Sequence, residues 1–363
     1  MNICFLLNGF TVNGGIGRVV SVLANQLCQD EKYSVFALSF YDTLKPDFFS
    51  IQAIIKRENL FYESTSMKNA ILKGGIKRLK QYLVNNDMDI IVACGALYYP
   101  IAVLACRMIK TKCICWEHGN TLTTDEYSFQ TTCRRFGAKY GDYTVVLTVG
   151  DQQNYIRKYG AINIKQIYNP VDDQLFASAG IYDSKSKKII SVGRLAPPKN
   201  YSTLIDIARV LLPRHNEWSW DIYGDGELKE ELNHKISALG LEKQLFLRGQ
   251  ADNMYQLYNQ YAFLIMTSIR EGFPMVLLEA AANSLPLISF DIETGPNEII
   301  ESGENGFLIK AFDAEEMIGC IEQLIVSDEL RIEMSGKSKT ICSKFSQKSI
   351  LSKWKDIFER VAR

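Results

Sequence analysis

The sequence predicts an α/β protein built as two parallel-sheet domains, and three observations carry that prediction. Short apolar runs rich in Ile, Val and Phe alternate with helix-length amphipathic segments, which is the pattern of strands covered by helices on both faces. The pattern restarts in the second half of the chain. The length of 363 residues, at roughly 150 residues per domain, gives two domains, each large enough to bury its own core.

In the first half NICFLLN, YSVFALSF, DIIVACG, KCICWEH and DYTVVLT read as strands, with GRVVSVLANQLCQ and KRLKQYLVNN among the helices between them. In the second half the strands are KKIISVGR, WSWDIYGDG, QLFLRG, FLIMTS, LPLISFD and GFLIK. Between the halves, IKQIYNPVDDQLFASAGIYDSKSKK holds an Asn-Pro step and a Ser/Lys/Asp-rich stretch and reads as a linker. The expected division is residues 1–169, 170–345, and a terminal helix over 346–363. That helix carries Ile350, Leu351, Trp354, Ile357, Phe358 and Val361 at helical spacing and must dock somewhere.

Composition narrows the function. Hydrophobic residues make up 47% and charged residues 23%, the balance of an ordinary globule. The 41 Lys+Arg offset 41 Asp+Glu, which argues against a protein that works by coating nucleic-acid phosphates. Nine cysteines without a Cys-x-x-Cys pair read as reduced core thiols of a cytoplasmic protein. The start, MNICFLLNGF, lacks a basic lead and a long apolar segment, so it reads as a first core strand rather than a signal peptide. From Ile90 to Cys106 seventeen residues carry no charge. That falls short of the roughly 20 needed to span a bilayer, and Gly95 and Pro100 should break it into strand, loop and helix.

Three stretches can carry chemistry. After the first strand, NGFTVNGGIGR opens a helix, and Gly14, Gly15 and Gly17 would allow positive φ and close backbone approach by an anion to free helix amides. Val20 stands where a dinucleotide fingerprint needs its third glycine, which disfavours NAD or FAD here. In SVGRLAPPKNYSTLI a strand ends at Gly193-Arg194 and Lys199 precedes a helix. Ligands of open α/β sheets lie beyond the carboxyl ends of strands, so Arg194 and Lys199 would both face such a crevice and suit a diphosphate. In SIREGFPMVLLEAAANSLPLIS, Glu271 lies in a strand-exit loop and Glu279 lies inside the following helix. Between them Gly272, Phe273, Pro274, Met275 and Val276 form the helix start, whose free amides offer partial positive charge to a phosphate; Pro274 suits the first helical turn. Carboxylates accept hydrogen bonds from vicinal hydroxyls, and a charge on the apolar face at Glu279 needs a partner. The row therefore reads as sugar hydroxyls, phosphate and ribose hydroxyls.

The combination GR…K, EGFPMVLLE and DIETGPNEIIESGENGFLI resembles the retaining, sugar-nucleotide-dependent glycosyltransferases of family 4, over nearly the whole chain. The resemblance implies the GT-B fold: two Rossmann-like domains facing a central cleft, the first binding the acceptor and the second the nucleotide sugar, with the terminal helix crossing back to the first. It implies that Arg194 and Lys199 bind the donor diphosphate, that Glu279 binds the ribose, that Glu271 contacts the transferred sugar, and that Gly14 and Gly15 face the donor phosphates. His118, in ICWEHGN, matches the family's active-site histidine. Glu117 departs from the commoner small or apolar neighbour, but the Glu-His pair and TGPNE resemble a subgroup that builds surface polysaccharides and protein glycans.

Transfer of this kind develops negative charge on the departing diphosphate, which Arg194, Lys199 and the helix amides would stabilise. The acid pairs Asp172-Asp173 and Asp221/Asp225 do not form a metal motif. No metal and no other cofactor is expected; the nucleotide sugar, UDP-linked by family habit, is a substrate. The resemblance implies retention of configuration. The segment over 68–84 carries Lys68, Lys73, Lys77, Arg78 and Lys80 beside Leu72, Ile76, Leu79 and Leu83. It is expected either to contact an anionic inner membrane on its cytoplasmic face, where a lipid-linked glycan acceptor would reside, or to pack on the first sheet with its lysines solvated. A non-catalytic sugar-nucleotide binder on the same fold is the alternative, which the joint presence of His118, Arg194, Lys199, Glu271 and Glu279 disfavours; a nicotinamide oxidoreductase is a third.

Overall fold

The computed structural model describes residues 1–11, 14–41, 49–63, 67–121, 127–178, 181–251 and 253–363. Val12 and Asn13 of the glycine loop, Ala179 and Gly180 of the linker, and the Lys68 and Leu72 side chains lie outside the described residues. The chain divides into two compact units, Met1–Pro170 together with Gln347–Arg363, and Val171–Ser346.

In the first unit the strands are β1 (Asn2–Leu7), β2 (Ser34–Tyr41), β3 (Lys56–Phe61), β4 (Ile90–Cys94), β5 (Lys112–Trp116), β6 (Tyr143–Val146) and β7 (Ile164–Gln166). All neighbours pair in parallel in the order β3-β2-β1-β4-β5-β6-β7. In the second unit β8 (Lys188–Val192), β9 (Ser219–Tyr223), β10 (Leu245–Gly249), β11 (Phe263–Met266), β12 (Leu287–Asp291) and β13 (Gly306–Lys310) pair in parallel as β10-β9-β8-β11-β12-β13. Both sheets are doubly wound. Chain direction across the sheet reverses at β1/β4 and at β8/β11, so the loops leaving these strands border the crevice where such sheets take ligands.

The strands form where both faces are apolar. Every residue of β4 is buried, as are Phe263, Leu264, Ile265 and Met266 of β11. Two strands, β3 and β7, have no counterpart among the sequence-predicted ones. β3 reads KRENLF, an edge strand whose Lys56, Arg57 and Glu58 are exposed, and β7 spans three half-buried residues. Polar edges discourage pairing with another chain, and the same polarity hides them from an apolar pattern. The uncharged stretch from Ile90 splits into β4, Gly95 at φ 108°, a 3₁₀ turn and the helix Tyr99–Cys106.

The basic segment is not one helix. Gly74, at φ 77°, separates Met67–Leu72 from Gly75–Asn85. Leu79 and Leu83 are fully buried in the first core and Ile76 packs against it, so the described apolar face is already covered. A side chain at Gly75 would sit 2.7 Å from the Ala70 carbonyl and 2.9 Å from the Phe61 ring, closer than packing allows. The cations also have local partners: Arg78 lies 5.5 Å from the Phe61 ring centroid, and Lys80 donates to the Arg107 carbonyl at 3.1 Å.

The terminal helix Gln347–Ala362 belongs to the first unit. Its buried face packs Trp354 onto Trp116 of β5 and Phe358 near Tyr33, with ring centroids 4.6 and 6.2 Å apart. Lys355 and Glu359 pair at its rim with Asp30 and Lys32.

Candidate active site

In the second unit the loop leaving β8 is shaped by glycines that meet backbone. A Cβ on Gly224, which has φ 144°, would lie 1.9 Å from the Gly193 carbonyl, and one on Gly226 would lie 2.4 Å from that of Leu195. Only bare backbone fits there, so the Tyr-Gly-Asp-Gly turn after β9 lies directly on Gly193-Arg194-Leu195. Leu195 N–H donates to Asp225 O at 3.0 Å and closes the contact. On the other side of the switch point, Thr267 Oγ1 donates to the carbonyls of Lys199 and Asn200 at 3.1 and 3.2 Å, and Ile269 N–H to that of Pro198 at 2.9 Å. The loops after β8 and β11 are thereby laced together.

That lacing places Lys199 Nζ 2.6 Å from Glu271 Oε1, with the side chains only 23% and 13% exposed. Lys199 crosses Gly193, where an added Cβ would lie 3.2 Å from its Cε. Arg194 does not join this pair. Its side chain is 73% exposed and meets Glu227 Oε2 at 3.0 Å. Sequence reasoning turned both cations toward one crevice; in the structure Lys199 pairs with Glu271, and the mostly exposed Arg194 pairs with Glu227.

Pro274 is the N-cap of the helix Met275–Ala282, with extended backbone at φ −76° and ψ 97°, one position earlier than a first-turn proline. Its carbonyl accepts from Leu277 N–H at 3.1 Å. The amides of the first turn have no carbonyl four residues earlier within the helix, which leaves a positive pole beside Glu271 and Gly272. Phe273 is buried against Phe345, their centroids 5.6 Å apart, while Met275 and Val276 are half-buried. The TGPNE stretch holds this turn from outside: Thr294 Oγ1 donates to Glu271 O at 3.0 Å, and Gly295, at φ 104°, leaves no room for a Cβ against Pro274 Cδ at 2.6 Å.

Glu279 is 3% exposed, and its charge has a partner: the fully buried Tyr258 donates its hydroxyl to Oε2 at 2.9 Å. Tyr258 was missed in the sequence, where a tyrosine 21 positions earlier gives no sign of the contact. Asp221 is likewise occupied, by Arg248 Nε at 2.8 Å and the Tyr261 hydroxyl at 2.7 Å. Among the described residues no group of three His, Cys, Asp or Glu is placed to hold a metal ion.

In the first unit Gly14 caps the helix Gly15–Leu27 with extended backbone at φ −164°. The expectation of positive φ at Gly14, Gly15 and Gly17 fails, because none of them adopts it. What Gly14 and Gly15 supply is space: among the described residues an added Cβ at either meets nothing within 4 Å.

His118 leaves β5 half-buried, its ring 4.3 Å from that of Trp116, which in turn packs on Trp354. Its Nε2 is buried and has no hydrogen-bond partner among the described residues. Burial pushes its pKa down to about 3, so the ring is neutral at physiological pH. Glu117 beside it is 2% exposed and ion-paired to Arg134, Nε to Oε2 at 2.7 Å. Asp151, also buried, accepts from Thr121 N–H at 3.1 Å, from its hydroxyl at 2.9 Å and from Thr148 Oγ1 at 2.9 Å. Burial raises the Asp151 pKa, opposed by those hydrogen bonds. Sequence reasoning named Glu117 only as a departure and missed Arg134, Tyr155 and Asp151.

Two doubly wound units, the second with a lysine–glutamate pair, a helix N-terminus and a buried glutamate at its switch point, define an α/β protein with a ligand crevice at the strand ends of that unit. The chain belongs to the glycosyltransferases of the GT-B fold: the family described as glycosyl transferases group 1 matches residues 173–340, and glycosyltransferase family 4 matches residues 13–175. Over 366 residues it is 28% identical to the amylovoran biosynthesis glycosyltransferase AmsD of Erwinia amylovora, covering 97% of this chain and 98% of that one. It is 25% identical over 371 residues, with 99% of both chains covered, to a Campylobacter jejuni enzyme named GalNAc-alpha-(1->4)-GalNAc-alpha-(1->3)-diNAcBac-PP-undecaprenol alpha-1,4-N-acetyl-D-galactosaminyltransferase. In fold it is similar to TarM of S. aureus, solved with UDP, alpha-GlcNAc-glycerol and fondaparinux, at a TM-score of 0.82 and 17% identity over 98% of this chain and 99% of that one.

Proposed function

We propose that the chain transfers a hexose or N-acetylhexosamine from a UDP-sugar to a lipid-linked glycan in polysaccharide or glycan assembly, with retention of configuration. The observation that carries this is the Lys199–Glu271 pair at the open N-terminus of the helix that buries Glu279. A diphosphate competes with Glu271 for Lys199 and accepts from the first-turn amides, while Arg194 supplies a second, solvent-facing cation. Glu271, once displaced from Lys199, is free to accept from sugar hydroxyls. Glu279, held on one oxygen by Tyr258, accepts from the ribose. As the sugar–phosphate bond breaks, charge grows on a diphosphate already faced by Lys199, Arg194 and the helix dipole, and these groups need no reorganisation to stabilise it.

The lipid-linked acceptor is supported by the undecaprenol-linked substrate in the Campylobacter enzyme's name, and UDP by its presence in the TarM structure. Among the described residues no helix is long and apolar enough to cross a membrane. We place the protein at the cytoplasmic face, held peripherally by its cations alone, since the described apolar face of 68–84 is packed inward.

Screening UDP-, GDP- and ADP-sugars against lipid extract, with nucleotide release and glycolipid products followed together, tests the reading. A glycolipid formed from a UDP-sugar supports it, and nucleotide release to water alone overturns it. Product NMR tests retention, which an inverted linkage from an α-linked donor refutes. Transfer should survive EDTA, and loss restored by Mn²⁺ would refute the metal-free mechanism. Anionic vesicles should sediment with the wild-type chain less once Lys73, Lys77 and Lys80 are reversed in charge; unchanged binding rules this patch out.

A further inference from the structure

We propose that Glu117 is a positioning residue, and that its buried carboxylate holds the backbone that presents His118. The inference rests on the glycosyltransferase reading above. Glu117 extends the β5 ladder through its own N–H, which donates to Val145 O at 2.8 Å. Its side chain then turns back under the loop it begins. Oε1 accepts from His118 N–H at 3.1 Å and from Gly119 N–H at 2.8 Å. Oε2 accepts from Arg134 Nε and from the Tyr155 hydroxyl, both at 2.7 Å. Four donors from three distant parts of the fold therefore meet on one carboxylate, and a Cβ at Gly119 would lie 2.9 Å from Arg134 Nη2.

This arrangement is poorly explained as a source of stability. A buried ion pair loses in desolvation much of what it gains in attraction, and an apolar pair of similar volume often does as well. What no apolar residue at 117 can do is accept the two part-buried amides that begin the loop, which would then lose this acceptor. Further along, Thr121 is held in the same way, by Asp151. Between these two anchors His118 has its backbone determined at both sides and its ring set against Trp116. A side chain that touches reacting atoms must keep its place closely, since misplacement by about 1 Å can cost about a hundredfold in rate.

The test compares Tyr155→Phe and Glu117→Gln with the wild type. Tyr155→Phe removes one donor without changing shape; Glu117→Gln keeps the shape and removes the charge that Arg134 requires, so Tyr155→Phe carries the test if Glu117→Gln fails to fold. The expected result is a fall in kcat of about threefold for Tyr155→Phe and about tenfold or more for Glu117→Gln. Donor KM and UDP affinity should stay within about twofold, because Lys199, Arg194 and Glu279 lie in the other unit. Amide exchange at His118 and Gly119 should quicken, and the His118 ring should titrate nearer its ordinary pH. Unchanged kcat in folded variants, or a loss matched by the fraction unfolded, overturns the proposal. Absence of transfer by the wild-type chain in the donor screen would instead sink the functional reading.

Discussion

Replacing Glu271 by Gln should tighten the binding of free UDP while damaging transfer. Lys199 is engaged by Glu271 at 2.6 Å, with both side chains largely shielded. A hydrogen bond between charged partners in such a setting is worth about 1.5–3 kcal/mol net, and the remaining exposure favours the lower end. A diphosphate must draw Lys199 away from that bond or share it. Removing the carboxylate charge removes the competitor, and a gain of about 1.4 kcal/mol is about tenfold in Kd. Glu279→Gln works in the opposite direction: its amide carbonyl can still accept from Tyr258, but the ribose loses a charged acceptor, and UDP should bind about tenfold more weakly. Titration calorimetry with UDP alone separates the two, and steady-state transfer shows that both variants are impaired. If Glu271→Gln weakens UDP as much as Glu279→Gln does, the division of roles between the two glutamates is wrong.

Tyr258→Phe should weaken UDP several-fold and cost about 1–3 kcal/mol of stability, because the buried Glu279 loses a donor; calorimetry and urea denaturation measure the two effects. Gly224→Ala should lower the melting temperature sharply, by the equivalent of about 2–4 kcal/mol, since its Cβ would meet the Gly193 carbonyl at 1.9 Å on a backbone at φ 144°; a melting curve like the wild type's refutes that packing. Burial lowers the His118 pKa from 6.5 to about 3, so over that interval the folded state binds fewer protons than the unfolded. This contribution to stability is whole above pH 6.5 and declines as the pH falls toward 3. His118→Asn should therefore flatten the pH dependence of the melting temperature on the acid side, and an unchanged profile would show that His118 does not cause it.

How much could be read from the chain depends on whether the signal is local. Strands rich in apolar residues announce themselves as runs, and β8 to β13 all coincide with runs read in the sequence. β3 and β7 do not, because a polar edge strand and a strand of three residues carry no such run. Glu279 stood out for the same local reason: a carboxylate within MVLLEAAA must find a partner, although nothing nearby says that the partner is Tyr258. The glycine loop shows the limit of reading a residue type for one of its uses. Of the two uses expected of Gly14 and Gly15, positive φ is absent, while among the described residues nothing lies within 4 Å of an added Cβ at either.

The sequence by itself determined the two α/β sheets, the strand ends at which ligands would lie, and the identity of the charged residues at those ends, since each depends on periodicity or spacing within a few turns of chain. Tertiary structure alone decided the pairings: Lys199 with Glu271 across 72 positions, and Glu117 with Arg134 and Tyr155 across 17 and 38. The reason is physical. Hydrophobic burial follows a pattern that repeats along the chain, whereas a buried charge is satisfied by whatever donor the fold carries to it.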